Sequence, residues 1–292
     1  MRRFPFVTVD VFTFKKLEGN QLAVFTDAKG LADAEMQALA REMAFSETTF
    51  IIPRAPDIEA RHGVKVRIFT VESELPFAGH PTLGTAFVLR GATGANELFL
   101  DLPVGKIPVR FSEREGQTFG EMTQRDPEFG MVHRREEIAS TCDISVDEID
   151  PDLPIETVST GNPFIIIALR SLDAIRNLAV DWRRIAKYAM SRDAAFFYFV
   201  TRQTEDPAAT LQARMIFFGG EDPATGSAAG PAAAWMVKHK LASPDEQLII
   251  EQGIEAKRPS RIFARAGLTG GRVCDVRVGG HVVKVARGEV TL

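Results

Sequence analysis

Cysteine is almost missing from this chain: 292 residues hold only Cys142 and Cys274, at no metal-ligand spacing. A disulfide framework is therefore excluded, and two reduced thiols are what a cytoplasmic protein carries. An excess of positive charge is also missing. Lys and Arg total 35 against 39 Asp and Glu, a net charge of −4, so nothing argues for a nucleic-acid surface. No apolar run approaches the ~20 residues that cross a bilayer. Arg2 and Arg3 lead into an apolar stretch, but Asp10 interrupts it, which argues against a secretory leader. No Asn-x-Ser/Thr acceptor occurs and no segment is of low complexity. The five histidines (62, 80, 133, 239 and 281) form no ligand cluster, so no metal site is expected. Neither G-x-x-x-x-G-K-[ST] nor G-x-G-x-x-G is present, so a nucleotide fold is not indicated.

What the chain does have is an imperfect copy of itself. His80-Pro81-Thr82-Leu83-Gly84-Thr85-Ala86 and Asp222-Pro223-Ala224-Thr225-Gly226-Ser227-Ala228 both read X-Pro-x-x-Gly-[Ser/Thr]-Ala, with a proton-transfer residue at X. The offset is 222 − 80 = 142, and Gly19-Asn20 matches Gly161-Asn162 at the same distance. Each Gly-Asn leads into an apolar run, Leu22-Ala23-Val24-Phe25 and Phe164-Ile165-Ile166-Ile167. Thr48-Thr49-Phe50-Ile51 likewise resembles Ala195-Phe196-Phe197-Tyr198. Such self-similarity points to a duplicated unit. The expected halves are 1–126, with the C-terminal strand 282–292 as a candidate addition, and 127–281. Two related halves facing each other would aim His80 and Asp222 at one cleft.

Local patterns fill in the elements. Strands are expected at 4–12, 21–26, 48–53 and 64–70. Met36, Leu39, Ala40 and Met43 recur at helical spacing, which predicts a helix over Ala32–Ala44. A second helix is expected from Pro81 to Gly91, with Pro at its first position and Gly at its end. Strand-like runs fill 97–124, and charges and turn residues near 125–131 mark a boundary. The order then repeats: strands at 155–160 and 163–169, a helix at 181–190, strands at 195–202 and 211–218, and a small-residue helix over 223–239. Pro231 inside that helix is expected to strain it.

A helix start exposes unpaired N–H groups and attracts anions. Each Pro-x-x-Gly motif puts its titratable residue at or near such a start, and Gly84 and Gly226 would open the backbone to a ligand or a neighbouring helix. Simple capping is the bland alternative for Asp222; the matched position of His80 weighs against it. Glu47 is the third candidate. It lies between the first helix and the apolar strand Thr49-Phe50-Ile51-Ile52. Partial burial there would raise its pKa toward a range useful for proton transfer. A surface turn is its bland alternative.

Three separated blocks now converge. Ser46-Glu47-Thr48-Thr49-Phe50, Phe77-Ala78-Gly79-His80-Pro81-Thr82-Leu83-Gly84-Thr85-Ala86 and Gly220-Glu221-Asp222-Pro223-Ala224-Thr225-Gly226-Ser227-Ala228 resemble the PhzF-like phenazine-biosynthesis isomerase family. Asp10-Val11-Phe12, Gly19-Asn20, Gln252-Gly253 and Arg258-Pro259-Ser260 fit its patterns as well, so the resemblance runs from about residue 7 to 262. It implies an α/β (α+β) protein of the diaminopimelate epimerase-like fold. There, two pseudo-symmetric halves each wrap a curved, mostly antiparallel or mixed sheet around a central helix. It further implies a homodimeric, cofactor-independent isomerase that moves a proton on a small carboxylate-bearing substrate. By the same resemblance Glu47, His80 and Asp222 are the catalytic residues, and Asn20, Gly79, Gly226 and Ser227 bind substrate. Two departures stand out: Gln21 replaces an expected Pro, and Glu255-Ala256-Lys257-Arg258 lacks an expected glycine. Two other readings remain, an epimerase or racemase of a small amino or hydroxy acid and a non-catalytic small-acid binding protein. Relatives of the first kind use a cysteine at each helix start, where this chain has His80 and Asp222.

Overall fold

A computed structural model describes residues 1–192, 194–217 and 220–292. The chain divides into two compact units, one of Met1–Thr123 with Gly279–Leu292 and one of Gln124–Val278.

Unit one contains β1 (Arg3–Val11), β2 (Asn20–Phe25), α1 (Asp33–Met43), β3 (Glu47–Ile52), α2 (Pro56–His62), β4 (Val64–Thr70), β5 (Glu74–Leu75), α3 (Gly79–Thr93), β6 (Glu97–Leu102), β7 (Gly105–Arg114) and β8 (Gln117–Thr123). Unit two contains β9 (Glu128–His133), α4 (Arg135–Cys142), β10 (Ile155–Ser159), β11 (Pro163–Ala168), α5 (Leu172–Arg176), α6 (Trp182–Met190), β12 (Phe196–Thr201), β13 (Leu211–Arg214), β14 (Ile216–Phe217), β15 (Gly220–Glu221), α7 (Gly226–Lys238), β16 (Leu248–Gln252) and β17 (Ser260–Thr269). The long β18 (Arg272–Thr291) gives its first residues to unit two and the rest to unit one.

The duplication read from the sequence is a duplication of connectivity. In unit one β1–β2 is antiparallel, β2–β3 parallel, β3–β4 antiparallel, β4–β6 parallel and β6–β7 antiparallel. In unit two β10–β11, β11–β12, β12–β13, β13–β16 and β16–β17 repeat that alternation step for step. Unit one closes into a barrel of eight strands, because β18 pairs with β1 from Arg3↔Thr291 to Val11↔Val282.

Each unit holds one helix buried nearly all round. The first eight residues of α3, Gly79 to Ala86, are buried, as are eleven of the thirteen in α7. A helix apolar on every face belongs inside, and these two are the central helices that the sequence leads one to expect. The other helices are one-sided. α1 lays Met36, Leu39 and Ala40 against Phe25, Phe50 and Phe69, while α4 and α6 cover Ile165, Ile167, Phe197 and Phe199. Alternation along β11 and β12 thus sends odd-numbered residues to the outer helices and even-numbered ones to the α7 side.

Three expectations are corrected. α3 begins at Gly79, so Pro81 is its third residue, not its first. The first four N–H groups of a helix have no partner within it, so a proline costs little anywhere in that turn. α7 begins at Gly226 rather than 223, and it runs through Pro231. The segment expected as one strand over 211–218 is β13 and β14 with Met215 between them; residues 218 and 219 lie outside the described residues. Among the described residues no helix is long and apolar enough to cross a membrane.

Candidate active site

In unit one three chain segments converge because of register. β2 and β3 are parallel, with Leu22 beside Glu47, so Asn20 and Glu47 both stand at the start of their strands. Thr49 points at α3, since its hydroxyl lies 2.8 Å from that of Thr85. Glu47, two residues back along β3, shares that face. Two strand residues span roughly 6.7 Å and the five residues from Thr85 back to His80 span roughly 7.5 Å of helix. Strand and helix therefore bring Glu47 level with His80.

The observed contacts agree. His80 Nε2 lies 3.3 Å from Glu47 Oε2, with 4% of the His80 side chain and 15% of the Glu47 side chain exposed. On the other edge of the ring Asn20 Nδ2 is 3.1 Å from Nδ1. Ser46 donates its hydroxyl to Asn20 Oδ1 at 3.3 Å, which turns the amide nitrogen toward the ring. Nε2 and Oε2 stand close without a hydrogen bond between them. Burial pushes the His80 pKa down to about 3, with a backbone hydrogen bond at Gln21 acting in the opposite direction. The ring is neutral at physiological pH. The pair is thus a partly exposed carboxylate packed against a buried, uncharged imidazole, a base with a fixed neighbour.

Gly84 serves packing rather than ligand approach. A Cβ there would come within 2.7 Å of Leu22 Cδ2 and 2.9 Å of Val11 Cγ2, so its absence lets α3 lie against the barrel wall. Asn20 is 1% exposed, and its amide touches both the His80 ring and the Ser46 hydroxyl.

In unit two the corresponding motif is held differently. Asp222 is not the cap residue of α7; Thr225 occupies that position, and its hydroxyl donates to Asp222 Oδ2 at 2.7 Å. The fully buried Gln252 organises the segment. Its Oε1 accepts from the Tyr198 hydroxyl at 3.0 Å and from the Thr225 N–H at 3.1 Å. Its Nε2 donates to the Asp222 carbonyl at 2.7 Å and to Thr225 Oγ1 at 2.8 Å. With Thr225 N–H and the Asp222 carbonyl engaged there, residues 222–225 stay outside the helix, which starts late. Gly253 has φ +79°, and a Cβ would meet the Pro223 carbonyl oxygen at 2.5 Å, so only glycine lets the two segments touch. One residue upstream, Glu221 takes a two-pronged bond from Arg214 at 2.9 and 2.8 Å. The same guanidinium donates to the carbonyls of Ile175 and Leu178 at 2.8 and 2.9 Å. Burial, and next the nearby Asp222 carboxylate, raise the Tyr198 hydroxyl pKa well above its ordinary value, so it acts as a donor only. Gly226 gives its carbonyl to Gln124 Nε2 at 2.9 Å, and Ser227, the second residue of α7, is partly exposed.

The structure therefore gathers Asn20, Glu47, His80 and Gly79 in unit one, and Asp222, Gly226 and Ser227 in unit two. Sequence reasoning named these but gave no role to Ser46, Tyr198, Thr225 or Gln252. The signal for Gln252 was an amide two residues past the apolar run Leu248-Ile249-Ile250 and followed by Gly253.

Comparison with known proteins places the chain in context. The family model described as phenazine biosynthesis-like protein matches residues 9–288. An uncharacterized isomerase of Mesorhizobium japonicum is 36% identical, over 99% of both chains. The trans-2,3-dihydro-3-hydroxyanthranilate isomerase of Pseudomonas aeruginosa is 35% identical over 98% of this chain and 99% of its own. A solved phenazine biosynthesis protein of the PhzF family from Bacillus anthracis superposes with a TM-score of 0.90 at 26% identity, covering both chains completely.

Proposed function

We propose that this chain, which belongs to the phenazine biosynthesis-like family and is an isomerase, shifts a proton between carbon atoms of a small carboxylate-bearing substrate without a cofactor, using Glu47 as the base. The observation that carries the reading is the Glu47–His80 pair at 3.3 Å with His80 held neutral by burial. Glu47 removes a proton from a carbon whose developing charge the substrate's own unsaturation can absorb. It then returns the proton to a second carbon. His80, held by Asn20, packs its ring against the carboxylate and limits where it can point. An uncharged partner suits this role: an imidazolium at that distance would stabilise the carboxylate and weaken it as a base. Asp222, Gly226, Ser227 and the N–H groups near Gly79 are assigned to the polar groups of the substrate.

Thiol-based epimerisation is disfavoured. Cys142 packs among Ile138, Ile149 and Ile155, and burial pushes its thiol pKa up to about 12. A thiol with that pKa does not supply a thiolate at neutral pH.

The test is incubation with trans-2,3-dihydro-3-hydroxyanthranilate in deuterated water, followed by NMR for isomerised product and incorporated deuterium. Glu47→Gln keeps the shape and removes the base. Turnover is expected to fall by about 10²–10⁴-fold with substrate binding retained. Near wild-type exchange in Glu47→Gln would remove Glu47 from the role and leave Asp222 as the candidate base.

A further inference from the structure

Unit two contains a cavity of about 290 Å³ near the C-terminal end of α7. Its wall includes Trp235, Met236, Leu211 and Leu241, and its polar lining includes Asp150, Arg170 and Arg202. From Gly226 to Met236 the helix rises about 15 Å, so the cavity lies a helix length away from Asp222.

Both arginines follow the ends of paired strands. β11 and β12 are parallel, with Ala168 beside Val200, and Leu169 N–H still bonds the Val200 carbonyl at 2.7 Å. Just beyond these strand ends, Arg170 and Arg202 line the same cavity as Trp235 and Met236 of α7. Two like charges on one small cavity repel. Several other arginines of this unit sit on carboxylates: Arg192 on Glu137, Arg214 on Glu221, Arg261 on Asp206 and Arg277 on Asp275. Among the described residues neither Arg170 nor Arg202 has a side-chain hydrogen bond or ion pair. Asp150, on the same cavity, takes the Asp152 N–H on Oδ1 at 2.9 Å and reaches neither guanidinium.

We propose that this cavity binds an apolar α-amino acid. The carboxylate bridges Arg170 and Arg202, the ammonium group meets Asp150, and the apolar side chain lies against Trp235 and Leu241. A bound carboxylate relieves the repulsion between the guanidinium groups and accepts from both in the planar, forked geometry that arginine offers. The volume is at the low end of small-molecule pockets, about 300–1,000 Å³, which suits a ligand the size of leucine. Both guanidinium groups are exposed, so binding is modest, with a dissociation constant on the order of 1 mM or somewhat below, and it weakens as salt rises.

Isothermal titration of the full chain tests this with L-leucine, with 4-methylpentanoate, which lacks the amine, and with 3-methylbutylamine, which lacks the carboxylate. The expected result is saturable binding of L-leucine, weaker binding of 4-methylpentanoate and none of the amine. Arg170→Gln with Arg202→Gln weakens L-leucine by about tenfold or more. Asp150→Asn brings L-leucine down to the level of 4-methylpentanoate. Glu47→Gln leaves L-leucine binding unchanged, which separates this cavity from the proposed proton-transfer site. Both arginine side chains are exposed and bond nothing, so the double variant keeps its fold, checked by circular dichroism. Absence of saturable L-leucine binding, equal affinity in the arginine double variant, or loss of binding in Glu47→Gln overturns the proposal. Unchanged L-leucine affinity in Asp150→Asn overturns the amino-acid class.

Discussion

His80 supplies the sharpest quantitative test. Its imidazole is buried and neutral, with a pKa near 3 in the folded protein against about 6.5 in an unfolded chain. The unfolded state therefore binds the extra proton first as the pH falls. Stability is lost on acidification below about pH 6.5 and continues to be lost toward pH 3. At pH 4.5 the unfolded group is two units past its midpoint while the folded one is still neutral. At about 1.36 kcal/mol per unit, the cost is about 2.7 kcal/mol at pH 4.5 and a few tenths at pH 7. The wild type should thus lose about 2.5 kcal/mol between those pH values through this residue alone. His80→Gln cannot titrate and should not show that component, whatever its own stability at pH 7. His133 and His281 also have pKa values lowered by burial, but they are present in both proteins and cancel. The assay is guanidinium denaturation of wild type and His80→Gln at pH 7.0 and pH 4.5, with imidazole ¹⁵N shifts read at pH 6. An imidazolium paired with the Glu47 carboxylate would have a raised pKa, and the wild type would then lose less than the variant on acidification. That outcome, or an imidazolium signal for His80 at pH 6, would refute the neutral ring and the base assignment built on it.

Two further substitutions probe the packing and the clamp. Gly84→Ala forces a Cβ to within 2.7 Å of Leu22 Cδ2 and 2.9 Å of Val11 Cγ2, an overpacking expected to cost about 1–3 kcal/mol, read as a lowered denaturation midpoint. Gln252→Leu strips partners from the Thr225 N–H and the Asp222 carbonyl at once; at about 1–3 kcal/mol per orphaned group it should destabilise unit two by roughly 2–6 kcal/mol and lower turnover in the isomerase assay.

The sequence was most informative where one signal had one physical cause. The 142-residue offset stood for a repeated connectivity, and it set Asn20, at the head of β2, against Asn162, which precedes β11. The periodicity of Met36, Leu39 and Ala40 marked α1 within a residue at each end, because that helix has one buried face. α2 escaped notice because none of its residues is buried, so no apolar rhythm exists to be read. α4 escaped because Ile138, Ala139 and Cys142 are too few to set a period. The pairing of Glu47 with His80 was foreshadowed only by the family resemblance. Nothing local in either segment encodes the parallel register and the helix rise that bring them level.

The late start of α7 shows how two copies of one motif acquire different chemistry. β4 pairs with β6 through Val64↔Leu100 and Lys65↔Asp101, and β13 pairs with β16 through Leu211↔Ile250, Gln212↔Glu251 and Ala213↔Gln252. Aligning Val64 with Leu211 makes Leu102 the counterpart of Gln252. Leu102 is buried like Gln252, but its side chain can neither accept an N–H nor donate to a carbonyl. In unit one the chain before α3 has no such clamp, and the helix extends back to Gly79, taking His80 into its first turn. In unit two the amide of Gln252 competes for those backbone groups, and it wins because a buried N–H or carbonyl without a partner costs about 1–3 kcal/mol. The first turn is unwound, and Asp222 is left four residues ahead of the helix, with its carboxylate tied to Thr225. One buried side chain on a neighbouring strand thus decides whether the titratable residue sits within a helix, shielded and neutral as His80 is, or ahead of it, beside hydrogen-bond donors as Asp222 is. The two motifs are alike in sequence and unlike in setting, which is what lets a duplicated scaffold carry a base with its partner in one unit and a carboxylate of separate purpose in the other.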